Sequence, residues 1–425
     1  MKQLQLPLFG QETAPVFRNR NRVATTFRGK LEEPVHRWFR LTPSFSPQLA
    51  RDLFDRLDVR LSDRVLDPYS GTGTVPLEAR RRGNNSAGTE INPALFLVSK
   101  VKTGVYDPRL VERDLGRFRR CWESALAEIG DPVKYLAAHP ELIPGIAHPD
   151  RWWAPGTLAQ LASARLVLAQ KTEHSYPDLV RFAIASIVID VSAAKHNHPS
   201  MSFAHGPAME KEALAAFDLR CRHIIEDVSA EPRTGATVNL YRGNTKELAT
   251  LLAGEEPFDV LVTSPPYPNR FSYARETRPL LFFLDLVRSA SEVGDIEVAS
   301  MGGTWGKATW LLQKPVAPQN AVLERLLAPF VAAMATANPI LKHYVVRYFN
   351  DLWTHAEQIS EVMATRARMA WVVGNAKMAD NEVETDRNLA VIFAEMGWRC
   401  DEIVSMRKRH SKRGLRESVV FLSRG

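Results

Sequence analysis

An α/β fold with an open, mostly parallel sheet is predicted by three stretches of the 425-residue chain. RVLDPYSGTGTVPLEARRRG (64–83) passes from a short apolar strand through a glycine turn into a helix. SAGTEINPAL (86–95) is a strand of small and apolar residues ending in an acid, Glu90. FDVLVTSPPY (258–267) is a continuous apolar run, as in a strand covered on both faces, and it stops at a rigid polar corner.

The other elements follow in chain order. Residues 1–30 are basic and aperiodic and are expected to form an arm that orders only against a partner. SFSPQLARDLFDRL (44–57) sets Ser and Pro ahead of apolar residues at Leu49, Leu53, Phe54 and Leu57, the spacing of a capped amphipathic helix. In the glycine stretch, Val65 and Leu66 form the strand, Asp67 ends it, Gly71 and Gly73 make the turn, and the helix stops at Gly83. Far more chain separates Glu90 from Ser264 than the remaining strands need, so residues 106–230 are read as a mainly helical insertion. Residues 289–315 mix glycine, tryptophan and lysine, as in a mobile binding loop. RMAWVVGNAKM (368–378) is a strand ending at Gly374 and Asn375; a helix and a strand follow, and ESVVFLSRG closes the sheet.

Composition narrows the class. With 45% hydrophobic and 24% charged residues the chain is globular. No run approaches the roughly 20 apolar residues of a membrane span, and MKQLQLPLFG lacks a signal-peptide core, so a cytoplasmic location is expected. Cys121, Cys221 and Cys400 are too scattered for a disulfide framework or a zinc ribbon. A net charge of +7 favours a polyanionic partner, with basic clusters at 17–22, 117–120 and 407–416. His196, His198 and His205 have no second ligand cluster at metal spacing, so no metal is expected. The Trp152-Trp153 pair reads as core.

The glycines and acids indicate a ligand. Without a Cβ, the turn lets the backbone approach a ligand and present N–H groups at a helix N-terminus. An acid at the end of the second strand is placed to accept hydrogen bonds from both ribose hydroxyls. An adenosine-containing ligand fits that arrangement. The dinucleotide fingerprint is not matched, which argues against NAD.

DPYSGTGT with TSPPY downstream resembles the S-adenosylmethionine-dependent DNA amino-methyltransferases. The resemblance implies a Rossmann-like methyltransferase fold, a seven-stranded mostly parallel sheet with helical insertions. It also implies S-adenosyl-L-methionine as cofactor and double-stranded DNA as partner, with a cognate restriction endonuclease as a candidate second one. Carried over by position, Asp67, Gly71 and Gly73 line the methionyl part and Glu90 the ribose, with Pro68, Tyr69, Thr74 and Asn92 also cofactor-binding. Asn244, in YRGNTKEL, stands near adenine where the family usually has Asp. Phe45 and Ser46 correspond to the family's N-terminal cofactor motif, and a helix merely capped and packed on the sheet fits them equally.

The resemblance assigns Ser264, Pro265, Pro266 and Tyr267 to the target base. An exocyclic amine is a poor nucleophile because its lone pair is delocalised into the ring. Acceptors aimed at its N–H bonds, the Ser264 hydroxyl and the Pro265 carbonyl, favour the pyramidal form. The prolines hold them in advance, and Tyr267 offers a face on which a flipped base stacks. Ser before the prolines is associated with cytosine N4, Asp or Asn with adenine N6. Arg407, Arg409, Lys412 and Arg413 are candidate phosphate contacts.

The expected organisation is therefore a basic arm (1–30), a cofactor-binding part (31–105), a helical insertion able to read DNA (106–230) and a catalytic part (231–425) carrying the 289–315 loop. The expected activity is site-specific DNA methylation, cytosine N4 first. The alternatives are adenine N6 methylation, an RNA amino-methyltransferase, and a non-catalytic DNA-binding protein that keeps the core.

Overall fold

The structure, a computed structural model, describes residues 32–41, 44–170, 172–195, 202–203, 206–304, 306–334, 338–408 and 415–425. The arm at 1–30, His196, His198, His205, Arg409, Lys412 and Arg413 lie outside the described residues. Seven strands make the main sheet: β1 (Val65–Asp67), β2 (Ser86–Glu90), β3 (Val238–Arg242), β4 (Phe258–Thr263), β5 (Met363–Gly374), β6 (Arg399–Lys408) and β7 (Arg416–Ser423). Their spatial order is β6-β7-β5-β4-β1-β2-β3. β1 is parallel to β2 and β4, and β4 to β5, while β7 runs antiparallel to both its neighbours. This is the Rossmann-like methyltransferase fold.

Successive side chains on a strand point to opposite faces, so each unbroken apolar run feeds two cores. On one face Val65, Val260, Val262 and Val419 meet Leu53 and Phe54 of α1 (Pro47–Arg56) and Val75 and Ala79 of α2 (Thr74–Arg82). On the other, Leu66, Leu261, Met369 and Trp371 lie in one cluster with helices from later in the chain. Ser46 caps α1 by accepting the Leu49 N–H, and Gly83 ends α2 in a left-handed conformation. Both ends fall where the sequence predicts.

After β2 comes α3 (Pro93–Thr103), then the insertion with its long helices α4 (Pro108–Ala127), α5 (Pro155–Ala169), α6 (Pro177–Ile187) and α7 (Ala213–Ala230). Phe118, Trp122 and Phe217 cluster at its centre, with ring centroids 5.4 to 6.0 Å apart. Trp152 and Trp153 are buried there too, as core. This core is continuous with Leu95, Val98 and Val101 of α3, so the insertion extends the helical layer of the sheet.

The stretch expected as a mobile loop is largely helical: α8 spans Ala290–Ala299 and a short helix spans Lys307–Leu311. Ser289 accepts the Glu292 N–H while Glu292 accepts the Arg288 N–H, a pairing that starts a helix. Then come α9 (Ala321–Met334), α10 (Pro339–Val362) and α11 (Thr385–Glu395). Phe349 and Leu352 of α10 and Phe393 of α11 cover the second sheet face. β5 starts at Met363, earlier than predicted, and Ala376–Met378 leaves the sheet to pair with Asn381–Val383.

The three cysteines are free. Among the described residues, no helix is long and apolar enough to cross a membrane.

Candidate active site

From β1 the chain builds outward on one side to β2 and β3, then returns to β4 on the other side of β1. In open α/β sheets ligands bind at such a reversal, beyond the carboxyl ends of the strands. A cleft lies there, with an empty volume near 1320 Å³ including its open mouth. Of the candidate cofactor and target-base residues, all line it except Gly73 and Pro265.

At one end stand the strand-terminal acids. Asp67 is 4% exposed and accepts hydrogen bonds from Thr263 Oγ1 (2.7 Å) and the Tyr69 N–H (3.2 Å). Burial pushes its pKa up to about 7, against the opposing effect of those two bonds. Glu90 spans the turn, its Oε2 accepting the Gly71 N–H at 2.9 Å and its Oε1 the Asn92 N–H at 2.8 Å. Burial raises it to about 7 as well.

The two glycines do different things. Gly71 (φ +52°) leaves open space where a Cβ would stand, with nothing nearer than the Tyr69 carbonyl at 3.9 Å. Gly73 (φ +74°) is crowded: a Cβ would fall 2.6 Å from Ser99 Oγ. Gly73 therefore sets the approach of α2 to α3 and does not touch the cleft. The turn is held from behind by buried Lys102, whose Nζ donates to the Thr72 carbonyl at 2.7 Å.

Asn92 lines the cleft, but its side chain caps α3 by accepting from the Ala94 and Leu95 N–H groups and donates to Thr277 at 2.8 Å. Asn244 likewise accepts the Lys246 N–H and donates to the Ala299 carbonyl. Phe45 and Ser46 lie at the start of α1, facing the cleft.

At the other end is the corner after β4. Ser264, Pro266 and Tyr267 line the cleft, and Pro265 is buried behind them. The Pro266 carbonyl accepts the Tyr348 hydroxyl at 2.9 Å, which ties the corner to α10. Tyr267 donates its hydroxyl to Glu417 at 2.9 Å; burial, then Glu417, raises its pKa well above the usual phenol value. Arg407, a candidate phosphate contact, donates Nε to Glu417 at 2.6 Å.

The sequence reading missed Thr263, Glu417, Met301 and His355. Ala299, Ser300 and Met301 bring the end of α8 over the cleft, and His355 on α10 bonds the Tyr69 hydroxyl. Burial pushes His355 down to about 3. Glu33, His36 and Glu78 sit close enough to hold a metal ion but do not line the cleft. Their carboxylates already face Arg51 and Arg81.

No family model matches the chain. It is similar to the type II methyltransferase M.BsoBI of Geobacillus stearothermophilus, 20% identical over 92% of this chain and 83% of that protein. To the type II methyltransferase M.AvaI of Nostoc sp. it is 21% identical, over 90% of this chain and 83% of that protein. The crystal structure of TrmN from Thermus thermophilus aligns with a TM-score of 0.33 and 9% identity, over 90% of this chain and 50% of that one. The chain thus spans half of that structure, a likeness too faint to bear on the fold, which rests on the strand order. The chain is a distant relative of the type II methyltransferases along about nine-tenths of its length, carried on a Rossmann-like methyltransferase sheet.

Proposed function

We propose that the protein is a site-specific DNA methyltransferase that takes its methyl group from S-adenosyl-L-methionine and delivers it to the exocyclic amine of a flipped base, cytosine N4 in first place. One observation carries the reading: the acid-lined glycine turn and Ser264, Pro266 and Tyr267 of the corner line a single cleft.

The donor set suits the cofactor. Asp67, buried, and Glu90, partly buried, two carboxylates pushed up by desolvation, gain from a cationic ligand with hydroxyl donors. Gly71 leaves room for close approach. When bound, S-adenosylmethionine supplies an electrophilic methyl on a positively charged sulfur. Glu90 would accept from the ribose hydroxyls, with Asn92 and Asn244 shaping the nucleoside end, and Asp67, Pro68, Tyr69, Gly71 and Thr74 would line the methionyl end. Phe45 and Ser46 would close over it.

The corner would hold the amine. Ser264 Oγ would accept from an amine N–H and localise the nitrogen lone pair, while Pro265, buried behind the cleft wall, would keep the corner rigid. Tyr267 stacks on the base. The bound cofactor would supply the methyl and keep the C–S electron pair, and the methylated nitrogen would release its proton to water. Type II relatives also suggest a restriction endonuclease that shares the recognition sequence.

The test is incubation with duplex DNA and S-adenosylmethionine carrying a tritiated methyl, followed by mass spectrometry of the nucleosides. N4-methylcytosine is expected, and Ser264→Ala should reduce it about 100-fold. N6-methyladenine would move the target to adenine. Label in RNA alone would overturn the DNA substrate, and label in neither would leave a binding protein.

A further inference from the structure

Serine is an ambiguous choice for a corner that must only accept. Its hydroxyl has a proton as well as two lone pairs, and a proton turned toward an incoming amine would repel it. Three hydrogen bonds in the cleft fix its direction. Glu417 Oε2 accepts the Arg407 Nε–H at 2.6 Å, and Oε1 accepts the Tyr267 hydroxyl at 2.9 Å. With that proton committed to Glu417, the Tyr267 oxygen receives the Ser264 hydroxyl at 3.3 Å.

We propose that Glu417 is a positioning residue that acts through Tyr267 to turn the Ser264 proton aside, leaving the serine lone pairs as acceptors for the target amine. The inference rests on the proposed transfer to an exocyclic amine. A carboxylate has no proton to offer, so the order of donation along Ser264, Tyr267 and Glu417 cannot reverse.

The fold delivers this group from far along the chain. β7 pairs Glu417 with Gly374 at the end of β5, next to the strand that carries the corner. On its other side, an irregularity in β6 between Ser405 and Arg407 puts Arg407 opposite Glu417. Glu417 is 8% exposed, and all four side chains line the cleft. Arg407 thus serves the site as the counter-charge of this carboxylate.

Glu417→Gln tests the proposal, because an amide can donate to Tyr267 and release the chain of protons. Single-turnover methyl transfer should fall about 10- to 100-fold, with the Kd for S-adenosylhomocysteine, the KM for DNA and the Tm at wild-type values. Tyr267→Phe should fall similarly, and the double variant should be no slower than the slower single one. Wild-type rates in Glu417→Gln, losses that multiply in the double variant, or a change confined to KM would overturn it. Should Glu417→Gln fail to fold, Tyr267→Phe tests the same relay, and full activity there would overturn it. A wild-type protein that methylates no amine would instead sink the underlying reading.

Discussion

Thr263, the last residue of β4, donates its hydroxyl to the carboxylate of Asp67, the last residue of β1, at 2.7 Å. The bond fastens together the two strand ends between which the cleft opens. It also opposes the desolvation of Asp67. Thr263→Val keeps the shape and removes the donor. Stability at pH 8 should fall by about 1–3 kcal/mol, read from urea unfolding, and methyl transfer should fall with it. An unchanged midpoint would show that the bond contributes nothing.

The acids at the strand ends set a pH dependence. Asp67 and Glu90 are raised to about 7, whereas in the unfolded chain they titrate near 4. The folded state therefore holds their protons more tightly, and the stability they contribute is full below about pH 4 and lost as pH rises through about 7. Without cofactor, Glu90→Gln should be more stable than the wild type at pH 8, and the difference should vanish near pH 4. Calorimetric melts of both proteins across that range would show it. A difference independent of pH would contradict it.

Cofactor affinity should move the opposite way. Ionised Asp67 and Glu90 attract a cation and accept hydroxyl donors better, so binding of S-adenosylmethionine should tighten from pH 6 to pH 8. In Glu90→Gln that slope should shrink, as titration calorimetry would reveal.

The glycines predict separable defects. Gly73→Ala meets Ser99 at 2.6 Å from a left-handed backbone, so roughly 2–4 kcal/mol of stability should be lost. Gly71→Ala faces open cleft and should cost only about 1–2 kcal/mol of fold stability while weakening cofactor binding more than 10-fold. Melting and binding measured on both variants check the contrast. Equal defects would contradict it.

His355 has the opposite sign from the acids. Its pKa falls to about 3 through burial, so the unfolded chain binds the proton first. The stability of the neutral form is present above about pH 6.5 and is lost as pH falls toward 3. His355→Gln should flatten the acid limb of the stability curve, and an unaltered limb would count against this.

The legible parts of the site are those whose chemistry is local. A glycine turn after an acid, a strand ending in Glu90 and a diproline corner each show within a few residues, because backbone geometry demands those residue types. Thr263 and Asp67 are 196 residues apart, and Tyr267 and Glu417 are 150 apart. Such pairings depend on strand register, which no local pattern announces. That Arg407 meets Glu417 depends on the irregularity in β6, which is invisible in sequence. The helix at Ala290–Ala299 is a different case: Ser289 with Glu292 is a readable start signal, masked by the glycines around it. Asn92 shows that one residue can match a cofactor motif and cap a helix at once.

The central claim is that one cleft brings sulfur and target amine together. A crystal structure with S-adenosylhomocysteine tests it most directly. The ribose should lie on Glu90, with the sulfur turned toward Ser264 and room for a base between it and Tyr267. A ligand bound elsewhere, or one whose sulfur faces away from that serine, would contradict the account.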